Sequence, residues 1–193
     1  MRQFIILFDE MPINRASVKT GKNSSQVITV CRCVNVGLFI SSNLRRDVTV
    51  SFAIGTPKDM QIISFPGNSL RRVSPDERSI SFFLLKAIKI ANELSLQTKE
   101  TMDNGIIVNR TGFDDFLYSL RCNNIIIADS NEQKQNSLNL NNVDSLLIYD
   151  NRVLKNSLES LKLDTYKTVP RPPHPERFIL EINREIDQTQ LEP

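Results

Sequence analysis

The 193-residue sequence has little that would tie it to a membrane, a metal or a secretory route. No apolar run approaches the ~20 residues that a membrane span requires. The N-terminus lacks the basic stretch and apolar core of a signal peptide, so a cytoplasmic location is expected. There are three cysteines, an odd number: Cys31 and Cys33 make only a CxC, and Cys122 stands far from them. That set excludes a disulfide framework, makes reduced thiols the expectation, and leaves no plausible zinc site. The single histidine, His174, excludes histidine clusters. The formal net charge is only +2, so composition alone does not argue for a polyanionic partner. No glycine follows Gly112, and no internal repeat is present.

What is present is a chain of ordinary globular character, 40% hydrophobic, with room for one domain over residues 1–193. Short apolar runs at Phe4–Phe8, Asn124–Ala128 and Ser145–Tyr149 read as buried strands. Val48, Val50, Phe52 and Ile54 alternate with smaller or polar residues and predict a strand, with a neighbour at Met60–Phe65 after Gly55-Thr56-Pro57. Val27, Cys31, Val34 and Leu38 keep helical spacing, with Ser24 or Ser25 as cap. Residues 9–25 read as a loop and Gln97–Asn104 as a linker. Gly105–Arg110 is a short strand and Gly112–Leu120 a small helix. Residues 129–142, rich in Asn, Gln and Ser, read as a mobile loop, and helices are expected at Val153–Leu163 and His174–Ile186. Strands alternating with helices predict an α/β sheet with helices on its faces.

The stretch Leu70–Ala87 organises the chain. Ser74 reads as an N-cap, Pro75 as the first helical residue and Glu77 as the partner of a capping box. Ile80, Phe83, Leu84, Ala87, Ala91 and Leu94 form the buried stripe, widened by Phe82, Leu85 and Ile88. Arg71, Arg72 and Arg78 surround the helix start, where free N–H groups and the dipole favour an anion. Two readings stay open there: a phosphate-facing helix start, or a well-capped helix with solvated arginines. Arg45 and Arg46 form a second basic cluster with Asp47 before a strand, open to the same two readings. Asp150 ends a buried strand, where α/β proteins place ligands, or it is a turn residue.

Cys31-Arg32-Cys33-Val34, Leu38-Phe39-Ile40-Ser41, Arg45-Arg46-Asp47-Val48, Ile63-x-Phe65-x-Gly67 and Val73-Ser74-Pro75-Asp76-Glu77-Arg78 occur in order, followed by Gly105-Ile106-x-Val108-x-Arg110-x-Gly112-Phe113. Over about residues 1–120 this series resembles the archaeal tRNA pseudouridine-N1-methyltransferase (TrmY) family of the SPOUT superfamily. The resemblance implies a SPOUT-like α/β fold, a mostly parallel sheet with helices on both faces, and a C-terminal trefoil knot. Residues 1–120 would carry the RNA-facing motifs and 121–190 the cofactor and knot region. It further implies a homodimer that transfers a methyl group from S-adenosylmethionine to N1 of a T-arm pseudouridine of tRNA. Arg45, Arg46, Arg71, Arg72 and Arg78 would hold RNA phosphate. Asp47 would be the catalytic carboxylate that orients the base or draws off its proton.

The C-terminal third departs from the family pattern. Of the family's Gly-Asp-His run only Asp150 remains, within Tyr149-Asp150-Asn151. Pro170 and His174 fall where the family has Pro and His, and Phe178 stands at its cysteine. Asp150 and His174 are therefore the expected cofactor-side residues. The missing glycines and the ring of Tyr149 raise the alternative of an RNA-binding relative without the cofactor. A third reading, a dimeric scaffold using residues 170–175, has least support.

Overall fold

The computed structural model describes residues 1–41, 43–122, 124–130, 144–152 and 166–189. Its centre is an eight-stranded sheet. In chain order the strands are β1 (Arg2–Phe8), β4 (Val48–Thr56), β5 (Asp59–Pro66), β6 (Thr98–Thr101), β7 (Ile107–Thr111), β8 (Asn124–Asp129), β9 (Ser145–Asp150) and β10 (Lys167–Pro170). Two short strands, β2 (Phe39–Ile40) and β3 (Asn43–Leu44), pair separately. The sheet order is β10-β8-β9-β1-β4-β5-β7-β6. The five strands from β10 to β4 are parallel, and β5, β7 and β6 continue the sheet antiparallel. The central strand β1 is buried along its whole length, as its unbroken apolar run requires.

Helices α1 (Arg15–Thr20), α2 (Ser25–Leu38), α3 (Glu77–Glu93), α4 (Phe113–Leu120) and α5 (Pro175–Thr189) flank the sheet. One core joins Phe4, Ile6, Phe52 and Phe65 to the buried faces of α2, α3 and α5. A second, on the other face, joins Ile5, Leu7, Ile62 and Ile148 to Phe113 and Phe116 of α4. Alternate residues of β1 thus feed opposite cores, as strand geometry dictates.

Several local expectations are corrected. The stretch taken as loop contains α1, capped by Asn14: its side chain accepts from the Ser17 N–H at 2.9 Å and its own N–H meets Ser17 Oγ. The linker contains β6, whose four residues are all exposed, so it carries no apolar alternation. The cap of α3 is Asp76, accepting from the Ser79 N–H at 2.8 Å, and not Ser74, whose N–H donates to Ser79 Oγ. Phe82 is not part of the core but 44% exposed. Phe82 stands two positions after Ile80, about 200° around the helix, so it faces away from the inward stripe of Ile80, Leu84, Ala87 and Ala91. The expected helix at Val153–Leu163, most of the Asn-rich stretch expected to be a loop and part of the region expected to form a knot lie outside the described residues.

Candidate functional site

The parallel half of the sheet has two ends, and the expected site residues divide between them. At the amino-terminal end lies the Arg45-Arg46-Asp47 motif. The buried Arg2 guanidinium donates to Asp47 Oδ2 through Nε and Nη2 at 3.1 and 2.7 Å, and through Nη1 to Asn183 at 2.9 Å and Asp187 at 3.3 Å. Arg45 donates to the other oxygen of Asp187 at 2.8 Å. The arginine therefore fastens the loop before β4 to α5. Asp47 remains about half exposed, with Oδ1 outside these bonds. Arg46 is exposed and donates to the Gly67 carbonyl at 3.0 Å, while the Gly67 N–H donates to Val48. A Cβ on Gly67 would overlap the Arg45 carbonyl. The family glycine at 67 is what lets the two motifs close on each other.

Arg71 and Arg72 sit on the loop before α3. The Arg71 N–H donates to Asn104, and Arg72, held at φ 58°, pairs with Asp103 at 3.0 Å. Gly105, at φ 87°, packs its Cα against the Ser69 carbonyl, so this loop rests on the β6–β7 turn. Arg78 lies further along, in the first turn of α3, exposed and turned toward α1. The five arginines are thus spread over three places: Arg45 and Arg46, Arg71 and Arg72, and Arg78.

At the carboxyl-terminal end stand Asp150 and His174. Asp150 is gripped by Arg152, whose Nε and Nη2 meet its two oxygens at 2.8 and 2.7 Å. His174 is exposed on the turn before α5, and its carbonyl accepts from Arg177 and Phe178. Tyr149 is fully buried. Its ring lies 5.8 Å from that of Phe178, its hydroxyl donates to the Pro172 carbonyl at 2.7 Å, and Arg171 covers its face at 4.7 Å. Burial pushes the Tyr149 hydroxyl above its ordinary pKa, against the opposing pull of Arg171. The space between Tyr149 and Phe178 is filled, and the Asp150 carbonyl is taken by Arg171 at 2.7 Å.

The opening at this end lies beside Tyr149, not under it. A crevice of about 500 Å³ is bounded by Phe8, Asp9 and Glu10 after β1, by Ser25, Gln26 and Thr29 in the first turns of α2, and by Asn151 after β9. The sheet strand that follows β1, β4, lies on one side of the β1–β9 pair and the strand that follows β9, β10, lies on the other, so this is the topological switch point, where open α/β sheets take ligands. The crevice was not singled out from the sequence. Its residues are unremarkable locally and meet only through the β1–β9 pairing. The donor set suits adenosylmethionine: carboxylates for its cationic groups, a 14-residue helix start for its carboxylate, and hydroxyl and amide groups for its polar edges. The filled Tyr149–Phe178 contact does not suit it.

Cys31 and Cys33 belong to the core of α2. Burial, with Glu77 and Asp76 nearby, pushes the Cys31 thiol up to about 12, and burial likewise raises Cys33. Both are packing residues in their neutral form.

The register fixes the span between the two ends. Arg2 pairs with Val48 and Leu7 with Asp150, so Asp47 and Asp150 are about 20 Å apart along β1.

Comparison with known proteins follows this geometry. A family model described as "Putative SAM-dependent RNA methyltransferase" matches residues 1–187. A tRNA (pseudouridine(54)-N(1))-methyltransferase of Methanococcus maripaludis is 38% identical over 139 residues, 70% of this chain and 64% of that one. Its namesake from Methanocaldococcus jannaschii is 42% identical over 89 residues, 44% and 43% of the two chains. The matched segments thus span less than two thirds of these relatives. The crystal structure of Archaeoglobus fulgidus Nep1 bound to S-adenosylhomocysteine superposes with a TM-score of 0.61 at 12% identity, covering 98% of both chains, which shows a shared fold. With a model match running from the first strand into the last helix, the chain belongs to this methyltransferase family, as its ordered front motifs indicate.

Proposed function

We propose that the chain methylates N1 of a pseudouridine in the T-arm of tRNA. The observation that carries this is the family match over residues 1–187, which includes both the Arg45–Asp47 loop and the crevice at the switch point. The names of the archaeal relatives supply the base and the atom. When bound, S-adenosylmethionine supplies an electrophilic methyl group. Asp9 and Glu10 hold its cationic portion and the start of α2 its carboxylate, with Asn151 closing the side toward β9.

Pseudouridine N1 carries an imide-like proton and is a poor nucleophile until that proton is drawn away. Asp47 is the chain's carboxylate for this task. Arg2 fixes one of its oxygens and orients the group, leaving Oδ1 to accept the N1 proton. Arg46, Arg71, Arg72 and Arg78 hold phosphate, and Arg45 acts through its ion pair to hold the loop. Because Asp47 lies about 20 Å from Asp150 within one chain, the reaction requires two copies. A homodimer brings the Asp47 end of one protomer to the crevice of its partner, with the trefoil knot forming the cofactor side. We place the reaction in the cytoplasm, where tRNA is the substrate and free thiols persist.

The test is methyl transfer from labelled S-adenosylmethionine to two T-arm hairpins that differ only in uridine or pseudouridine at one position. Transfer to the pseudouridine hairpin alone is expected. Binding of the hairpins without transfer would establish the RNA-binding reading instead.

A further inference from the structure

The chain pairs most of its buried or conspicuous arginines. Arg2, Arg45, Arg72, Arg110 and Arg152 all have carboxylate partners within 3.3 Å. Among the described residues other cations stand outside such pairs, and five of them gather in one place. Between α1 and α3 runs a groove of about 660 Å³ edged by Arg15, Lys19, Arg78, Lys86 and Lys89. Among the described residues none of these five cations has an ion-pair partner. The acid that lines the groove, Asp76, is occupied in capping α3. Glu77 borders a neighbouring hollow and accepts from Asn23.

The floor is apolar, formed by Val18 and Leu85, and Phe82 stands at its side. This is the ring that helical periodicity assigned to the core and that the structure leaves 44% exposed. The Lys86 ammonium lies 4.5 Å from its centroid, and Phe83 braces it edge-on at 5.2 Å. An exposed, braced ring among unpaired cations offers a stacking platform beside phosphate-binding charge, the combination that single-stranded nucleic acid uses. An acidic peptide would need the cations but not the ring, and a flat anionic membrane would not enter a groove.

We propose that the α1–α3 groove is a second RNA contact surface, in which a single-stranded segment of the substrate stacks one base on Phe82 and lays its phosphates on Lys19, Lys86 and Lys89. This rests on the RNA reading above and extends it beyond the residues that the family motifs indicate. Arg78, in the first turn of α3, lines the groove as well.

The test is tRNA binding by fluorescence anisotropy over a series of salt concentrations, with the full chain and two variants. Lys86→Gln/Lys89→Gln is expected to weaken binding about tenfold or more at low salt and to reduce the log–log salt slope by about two. Phe82→Ala is expected to weaken binding about fivefold to a hundredfold and leave the salt slope unchanged. Both variants should keep the wild-type melting profile and wild-type affinity for S-adenosylhomocysteine by calorimetry. If wild type binds tRNA and both variants match it, the groove is not an RNA surface, while the function proposed above stands. If wild type itself does not bind tRNA, that function fails first. Displacement of tRNA from the lysines by polyglutamate or phosphatidylserine vesicles, with no loss in Phe82→Ala, would overturn the proposal in favour of a protein or lipid partner.

Discussion

Arg45 and Asp187 form an ion pair of 2.8 Å although 142 residues separate them. Asp187 also receives Arg2, so one carboxylate near the end of α5 anchors both the first strand and the loop before β4. Asp187→Ala should lower stability by about 1–2 kcal/mol, the partial exposure of this aspartate reducing what a buried pair would cost. Chemical denaturation measures it. A tRNA affinity that falls only as far as the folded fraction does would show that Arg45 serves the loop and not phosphate.

Asp47→Asn keeps the shape of the group and removes its capacity to take a proton. It should lower kcat about 10²- to 10⁴-fold with little change in KM for tRNA. An unchanged kcat would dismiss Asp47 as the base.

Gly67→Ala pushes a methyl group into the Arg45 carbonyl, a backbone atom that cannot swing aside. A loss of about 1–3 kcal/mol is expected. The thermal midpoint checks it, and a neutral outcome would mean that the two motifs do not meet at this position.

The Cys31 thiol titrates near 12 in the fold, chiefly through burial, against an ordinary value of 9.0. The folded value is raised, so its contribution is fully present below the ordinary value. It is lost as the pH climbs through the folded one. Stability should therefore fall at alkaline pH, and Cys31→Ala should flatten that fall. A thiol reagent at neutral pH should label Cys122 well before Cys31 or Cys33, read by mass spectrometry of the tryptic peptides.

Much of the fold is visible in the sequence because its strongest elements are defined by local periodicity. The run Phe4–Phe8 is apolar throughout because both faces of β1 are covered, and α2 keeps helical spacing from Val27 to Leu38. The edge strand β6 gives no such signal, since nothing covers Thr98–Thr101. The missed helix α1 is six residues long and held by a cap, with a single buried side chain, Val18. Phe82 misleads because a large aromatic residue ordinarily goes inward, whereas here it lies about 200° around the helix from Ile80, on the face away from the core.

The candidate site divides in the same way. The motifs name Arg45, Asp47 and Asp150, but only the register of β1 against β4 and β9 reveals that they stand at opposite ends of one strand. The partners of those residues are equally non-local. Arg2 and Asp187 lie at the two extremes of the chain, and no spacing rule connects them. Glu10, Ser25 and Asn151 become a crevice only when three segments converge at the strand ends.

The most direct trial of methyl transfer is nucleoside analysis of T-arm RNA after incubation with the chain and S-adenosylmethionine, digested and separated by chromatography coupled to mass spectrometry. The expected product is pseudouridine bearing its new methyl on N1, absent from the uridine-containing control and strongly diminished with Asp47→Asn. RNA recovered without any methylated nucleoside, from a preparation that binds both tRNA and the methyl donor, would contradict the proposed reaction.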